Sequence, residues 1–255
     1  MNTAATGELT GKVALVTGAT RGLGRAIAQA LAAEGARVVV SSRKHEQCVE
    51  VADEITAATG VETMPLALHV GRWDDIDGAV DAIYERFGRL DVVVNNAGIA
   101  PLADSLMEVS EGLFDKTIEV NLKGPFRLMV VTGARMAAAG SGSIINISSI
   151  GAVRPSPAEA MYAGAKNGLN AVTQAVAQEY APHVRCNVIM PGAFATDMAE
   201  DWDEDFLQLV TRGLPAGRLG RPEELTGMVV HLASDRSTYT TGALITVDGG
   251  RTAVY

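Results

Sequence analysis

Tyr162 and Lys166 bracket the pentapeptide Tyr162-Ala163-Gly164-Ala165-Lys166 and could do acid/base chemistry together. Four residues apart, they share one face of a helix, little more than a turn from each other. A free tyrosine phenol has a pKa of about 10 and exchanges its proton poorly near neutrality. A neighbouring ammonium favours the phenolate and is expected to pull that value down, each pH unit being worth about 1.36 kcal/mol. Tyr162 then becomes an acid/base group at physiological pH. Ser149 lies thirteen residues upstream, at the end of the apolar run Ser143-Ile144-Ile145-Asn146-Ile147-Ser148. A serine at the C-terminal end of a strand can face a tyrosine on the next helix. Taken alone, the pair reads as an ordinary helix with a solvated lysine. Its chemical meaning depends on what the rest of the chain sets beside it.

The chain before that stretch alternates strands and helices. Lys12-Val13-Ala14-Leu15-Val16-Thr17 reads as a strand buried on both faces, the pattern of a parallel sheet. Thr17-Gly18-Ala19-Thr20-Arg21-Gly22-Leu23-Gly24 follows, and Arg25 to Ala33 is a run of helix formers ended by Glu34-Gly35. Strand, glycine-rich turn and helix are the context of a dinucleotide fingerprint, where glycines let backbone approach a pyrophosphate at the positive end of a helix. The spacing is Gly-xxx-Gly-x-Gly rather than the commoner Gly-x-Gly-xx-Gly. Glycines also end strands for purely structural reasons.

Ala36 to Ser42 is the second strand. A unit that binds NAD usually carries Asp or Glu at its end to accept from the ribose 2′-hydroxyl. Here Ser42 is followed by Arg43 and Lys44, and Arg21 sits in the glycine turn. Two guanidiniums suit a 2′-phosphate, so NADP(H) is expected ahead of NAD(H). The alternative is that Arg43 and Lys44 are solvated loop charges.

His45 to Ala58 reads as a helix closed by Thr59-Gly60, Val61 to Leu68 as a strand, and Trp73 to Phe87 as an amphipathic helix with Ile76, Val80, Ile83 and Phe87 on its core face. Leu90 to Val94 is a strand running into Asn95-Asn96-Ala97-Gly98, small and amide residues that suit close packing against a flat ligand or simply a turn. Leu106 to about Ala139 holds two helices and contains Asn121, which on its own reads as a surface or locally bonded amide. The Tyr162 helix runs to about Tyr180, Val184 to Met190 is a strand closed by Pro191-Gly192, and Ala243 to Val247 is the last strand, before Asp248-Gly249-Gly250. Residues 193–220 are less regular and include the acidic cluster Asp201-Trp202-Asp203-Glu204-Asp205, read either as a substrate lid or as a solvated helix. The whole predicts an α/β fold: one domain over 1–255, a Rossmann-type doubly wound parallel sheet with helices on both faces.

Composition bounds the function. With 47% hydrophobic and 20% charged residues in 255, the chain has ample core for a globular domain. A formal charge of −9 argues against nucleic acid or an anionic membrane as the main partner and says little about a small substrate. His45, His69, His183 and His231 are scattered without metal spacing, so metal catalysis is not expected. Cys48 and Cys186 show no CxxC pattern and read as reduced thiols, although sequence alone does not rule out a disulfide. Neither a secretory signal nor an apolar run of roughly 18 residues is apparent, and cytoplasm is the expected location.

In order and spacing, these motifs resemble the short-chain dehydrogenase/reductase family along essentially the whole chain. The resemblance implies that Asn121, Ser149, Tyr162 and Lys166 form the family's catalytic tetrad. It implies that Gly18, Thr20, Arg21, Gly22, Leu23 and Gly24 hold the cofactor, with Ser42 and Arg43 near its ribose. Asn96, Ala97 and Gly98 would lie beside it, Val70 would meet the adenine through its backbone, and Pro191, Gly192, Phe194 and Thr196 would hold the nicotinamide side together with Tyr162 and Lys166. His69 departs from the family pattern, in which many members carry Asp. Two subgroups look close: NADP(H)-dependent carbonyl reductases, and 3-oxoacyl-carrier-protein reductases, from which Gln178 departs where an arginine is usual. A homotetramer or homodimer packed through the two long helices is implied as well.

The implied reaction reduces a ketone or 3-oxoacyl group to a secondary alcohol, with Tyr162 giving the proton, Ser149 holding the oxygen, Lys166 binding ribose and Asn121 holding a relay water. The alternatives are an NAD-dependent alcohol or sugar dehydrogenase and a non-catalytic dinucleotide sensor. Substrate contacts are expected from Ser149, Ile150, Val153, Tyr162 and Trp202, with Met161, Phe194 and Phe206 as further apolar wall.

Overall fold

Aliphatic runs without polar alternation can be buried only in a sheet covered on both sides. The chain forms such a sheet from β1 (Val13–Thr17), β2 (Arg37–Ser42), β3 (Thr63–Ala67), β4 (Val92–Asn95), β5 (Gly142–Ile147), β6 (Val184–Pro191) and β7 (Leu244–Val247). The computed structural model describes residues 7–196 and 204–254, the side chains of Asp205, Phe206 and Leu209 excepted. All strands are parallel, in the order β3-β2-β1-β4-β5-β6-β7. Val16 pairs with Val40 on one side and Val94 on the other, so the strand order reverses at the β1–β4 junction. In such sheets, the crevice beyond the strands' C-terminal ends at that junction is where ligands bind.

The helices are α1 (Gly22–Ala33), α2 (His45–Thr59), α3 (Asp75–Phe87), α4 (Glu111–Ile118), α5 (Gly124–Ala139), α6 (Ala160–Glu179), α7 (Glu204–Arg212) and α8 (Glu223–Ala233). Side chains of α1, α2 and α8 pack on one face of the sheet, around Ile27, Leu31, Val51, Ile55, Val229 and Leu232. Those of α3, α5 and α6 cover the other, around Ile76, Val80, Ile83, Met129 and Leu169. The expected amphipathic stripe of α3 is thus the core face. The sheet is doubly wound.

Several element bounds differ from the sequence reading, most by one or two residues. The first α-helix starts at Gly22 rather than Arg25, because tertiary packing overrides the low helix propensity of glycine: a Cβ on Gly24 would stand 2.1 Å from the Gly18 carbonyl oxygen. Helix α3 starts at Asp75, after a turn in which the Asp75 N–H bonds to Arg72 O. Within 193–220 the chain makes a parallel bridge between Phe194 and Gly220 and forms α7. Most of the acidic cluster, including Trp202, lies outside the described residues.

Candidate active site

The crevice is closed at its base by Thr17 and Asn96. Thr17 Oγ1 accepts from the N–H groups of Asn96 (3.0 Å) and Ala97 (3.1 Å), and Asn96 Nδ2 donates to the carbonyls of Thr17 (2.9 Å) and Gly18 (3.2 Å). The glycine turn is thereby fixed to the end of β4, and Ala19 N–H to Ser41 O (3.0 Å) fixes it to the end of β2, where Ser42 and Arg43 follow. Gly18 has φ +64° and a Cβ there would stand 2.9 Å from Ala97 Cα, so only glycine fits. Thr20 and Leu23 are half-buried in the turn and Arg21 is exposed.

A dinucleotide's pyrophosphate suits this cradle. The N-terminus of α1 has no side-chain cap and no acidic residue in its first turn, so its N–H groups and positive dipole end meet no competing carboxylate. Arg21 and Arg43 take part in none of the ion pairs found among the described residues. Thr196 comes against the turn, its Cβ and Cγ2 3.5 Å from where a Gly22 Cβ would be. Gly192 is held against Asp248, whose carboxylate accepts from Gly250 N–H (2.9 Å) and from the N–H and hydroxyl of Thr252 (both 2.7 Å). Phe194, expected in the wall of the site, turns its ring into the core against Gly220, and Met161 is buried too; both follow from tight packing that sequence spacing does not report. Ile150 is half-buried and Val153 exposed on the loop after Ser149.

Asn121 is not a surface amide. It is fully buried in a π-helical turn, Glu119–Lys123, between α4 and α5, the kind of local irregularity found at functional sites. Its Nδ2 donates to the carbonyls of Ile99 (2.8 Å) and Thr117 (3.0 Å), and its Oδ1 accepts from Ile99 N–H (3.2 Å). Gly98 sits between Asn121 and Lys166: a Cβ there would be 2.8 Å from Asn121 Oδ1 and 3.6 Å from Lys166 Nζ. Nearby, Gly124 lets α5 start against β3's exit, since a Cβ would stand 2.1 Å from Val70 O. Sequence reasoning missed Gly124 and the π turn, and no local pattern announces either.

Lys166 and Tyr162 are on one face of α6, as their spacing predicts. Lys166 is 3% exposed, donates from Nζ to Ile147 O (2.7 Å), and stands 5.7 Å above the Tyr162 ring centroid. Burial pushes the Lys166 ammonium down from 10.5 to about 8. The Tyr162 phenol does not fall below its ordinary value as the sequence suggested. Burial pushes it up, the hydrogen bond with the Ser149 hydroxyl pulls it down, and the Glu159 carboxylate adds a further upward push. The expectation failed because desolvation of the phenolate is the largest effect and outweighs the downward pull of the Ser149 hydroxyl. Ser149 is oriented by Gly151 N–H, which donates to its Oγ (3.0 Å). A hollow of about 520 Å³ opens beside the glycine turn, lined by Gly22, Arg25, Ala195, Thr196 and Leu207 among others. Tyr162 and Lys166 do not line it.

Cys48 and Cys186 are free buried thiols on different elements, and the described residues hold no cluster able to bind a metal ion. No helix among the described residues is long and apolar enough to cross a membrane.

A family model described as enoyl-(acyl carrier protein) reductase, of the short-chain alcohol dehydrogenase type, matches residues 18–252. The chain is 37% identical to 3-oxoacyl-(acyl-carrier-protein) reductase FabG of Thermotoga maritima over 95% of this chain and 98% of the relative. It is 38% identical to L-rhamnose 1-dehydrogenase (NAD(P)(+)) of Azotobacter vinelandii, over 94% of this chain and 96% of the other. A gluconate 5-dehydrogenase from Burkholderia cenocepacia, solved with NADP and tartrate, superposes with a TM-score of 0.92 at 31% identity over 99% of each chain. These matches span whole chains, and the sheet order and glycine cradle agree with them. The chain belongs to the short-chain dehydrogenase/reductase family and is an oxidoreductase that acts on CH–OH or C=O groups with a nicotinamide dinucleotide.

Proposed function

We propose that the chain is an NADP(H)-dependent reductase that converts a ketone or 3-oxoacyl group to a secondary alcohol. The observation that carries this reading is that the Ser149 hydroxyl stands near enough to Tyr162 to lower its phenol pKa, with buried Lys166 beside them, at the mouth of a crevice whose glycine turn is flanked by Arg21 and Arg43, neither of them in an ion pair among the described residues. When bound, the nicotinamide dinucleotide supplies the hydride. Tyr162, which burial keeps protonated at neutral pH, gives its proton to the oxygen that becomes the alcohol. Ser149 donates to that oxygen and holds it in line. Lys166 would hold the nicotinamide ribose and help return a proton to Tyr162. Asn121 has both amide hydrogens engaged, which leaves one lone pair of Oδ1 facing Gly98 and Lys166 for a relay water.

Arg21 and Arg43 would hold the 2′-phosphate, Gly18 to Gly24 the pyrophosphate, Val70 the adenine edge, and Ala97 to Gly98 with Gly192 and Thr196 the nicotinamide side. The 193–220 segment would cover the substrate. Assembly as a homotetramer or homodimer, and a cytoplasmic location, complete the proposal. The second reading, an NAD-linked sugar or alcohol dehydrogenase, draws support from the sugar-acting relatives.

Tyr162→Phe tests the assignment. NADPH consumption on a ketone panel is expected to fall by about 10²- to 10⁴-fold, while NADPH binding, read by fluorescence titration, stays near the parent value. A variant that keeps most of its rate overturns the role of Tyr162. Tight NADPH binding by the parent with no turnover of any ketone would favour a sensor.

A further inference from the structure

Glu159 was not singled out by any motif, yet it is the charged side chain closest in sequence to Tyr162 and faces the same space. One point shows the juxtaposition: a Cβ on Gly151 would lie 3.3 Å from Ser149 Oγ and 3.7 Å from Glu159 Oε1. The carboxylate therefore borders the pair that would receive the substrate oxygen, and its charge reaches the Tyr162 phenol. Its only hydrogen-bond partner among the described residues is the Ser156 hydroxyl, which donates to Oε1 (3.3 Å).

None of the ion pairs among the described residues includes Glu159. The cations around it are occupied. Arg154, on the same loop, gives Nη1 to the carbonyls of Arg251 (2.7 Å) and Val254 (2.5 Å). Arg251 gives its Nη1 to Gly213 O (2.9 Å), and Lys166 points to Ile147 O. On the neighbouring segment, Ala103 N–H donates to Ala158 O, and the next residue, Asp104, is another acid.

We propose that Glu159 is a specificity-determining residue that sets the charge selectivity of the substrate mouth: it favours carbonyl compounds that are neutral or carry an O–H or N–H donor near the reacting carbon, and disfavours carboxylates and phosphates. The inference rests on the reading that the reacting carbonyl sits between Ser149 and Tyr162. An ionised carboxylate can only accept hydrogen bonds, so Oε2 rewards a hydroxyl or ammonium and repels an anion. Selectivity then comes from repulsion of the wrong substrate as much as from attraction of the right one. This divides the candidate substrates: a neutral polyol or hydroxyketone fits, and a sugar acid does not.

The test compares 4-oxopentanoate with its methyl ester, which share the ketone and chain and differ by one charge and a methyl group, as substrates or as competitive inhibitors of whichever ketone the enzyme turns over. The parent is expected to prefer the ester. Glu159→Gln, which keeps the bond to Ser156, should narrow the ester-to-acid ratio by about tenfold at low salt, and Glu159→Lys should narrow it further, with the change arising from the acid. If both variants keep the parent rate on the neutral ketone and leave the ratio unchanged, Glu159 has no such role. If the parent reduces no ketone with either cofactor, the reading of the reaction itself falls, and this inference with it.

Discussion

Replacing Lys166 by methionine separates what this residue does for the fold from what it does for the chemistry. Its ammonium is 3% exposed and burial lowers its pKa to about 8 from 10.5. The folded value lies below the unfolded one, so between these two values the unfolded chain binds more protons and stability rises with pH. Below about pH 8 the penalty is present in full, about 3 kcal/mol at pH 7. Methionine fills a similar volume without the charge, but leaves Ile147 O without the donor it has at 2.7 Å, a cost of about 1–3 kcal/mol. At about pH 7 the two effects offset, and the variant should unfold within about 2 kcal/mol of the parent. Between about pH 7 and about pH 9.5 the parent should gain about 2 kcal/mol on the variant, because only the parent has a proton to lose. Urea unfolding followed by circular dichroism at several pH values across that window measures the gap. Parallel stability profiles for the two proteins would refute a buried, destabilising ammonium. Turnover by the variant should be lost at every pH.

Arg43→Ala should raise KM for NADPH by about 10- to 100-fold, the worth of a charge-assisted hydrogen bond, and leave the NADH constants unchanged; equal effects on both cofactors would remove Arg43 from the 2′-phosphate. Gly24→Ala places a Cβ 2.1 Å from Gly18 O and 2.4 Å from Asn96 Nδ2, and should cost about 1–3 kcal/mol and most of the dinucleotide affinity, seen as a lower Tm that NADPH no longer raises. Gly78→Ala in α3 is the control: nothing lies within 4 Å of the new methyl group, and the helix should be stabilised by about 0.4–1 kcal/mol.

Some of this protein was settled locally. Val13–Val16 and Val92–Val94 are uniformly apolar, which only a strand covered on both faces tolerates, and the i, i+4 spacing of Tyr162 and Lys166 put them on one face before any neighbour was known. The Gly-xxx-Gly-x-Gly turn likewise announced a close backbone approach, and the Gly18 and Gly24 contacts supply the reason. What remained hidden depends on how deeply a group is buried and on what lies across the crevice. Asn121 read as a surface or locally bonded amide; its bond to Thr117 is local, but its burial and its bonds to Ile99 come only once the π turn packs beneath the β4 exit. The direction of the Tyr162 shift turned on a balance between desolvation, the Ser149 hydroxyl and the Glu159 carboxylate, and spacing along a helix fixes neither depth nor dielectric. The sequence by itself determined which residue types stand at which strand ends, because side-chain periodicity and glycine sterics are short-range. Only the tertiary structure decided their protonation and their partners, because solvent exclusion and Coulomb forces act across elements distant in the chain.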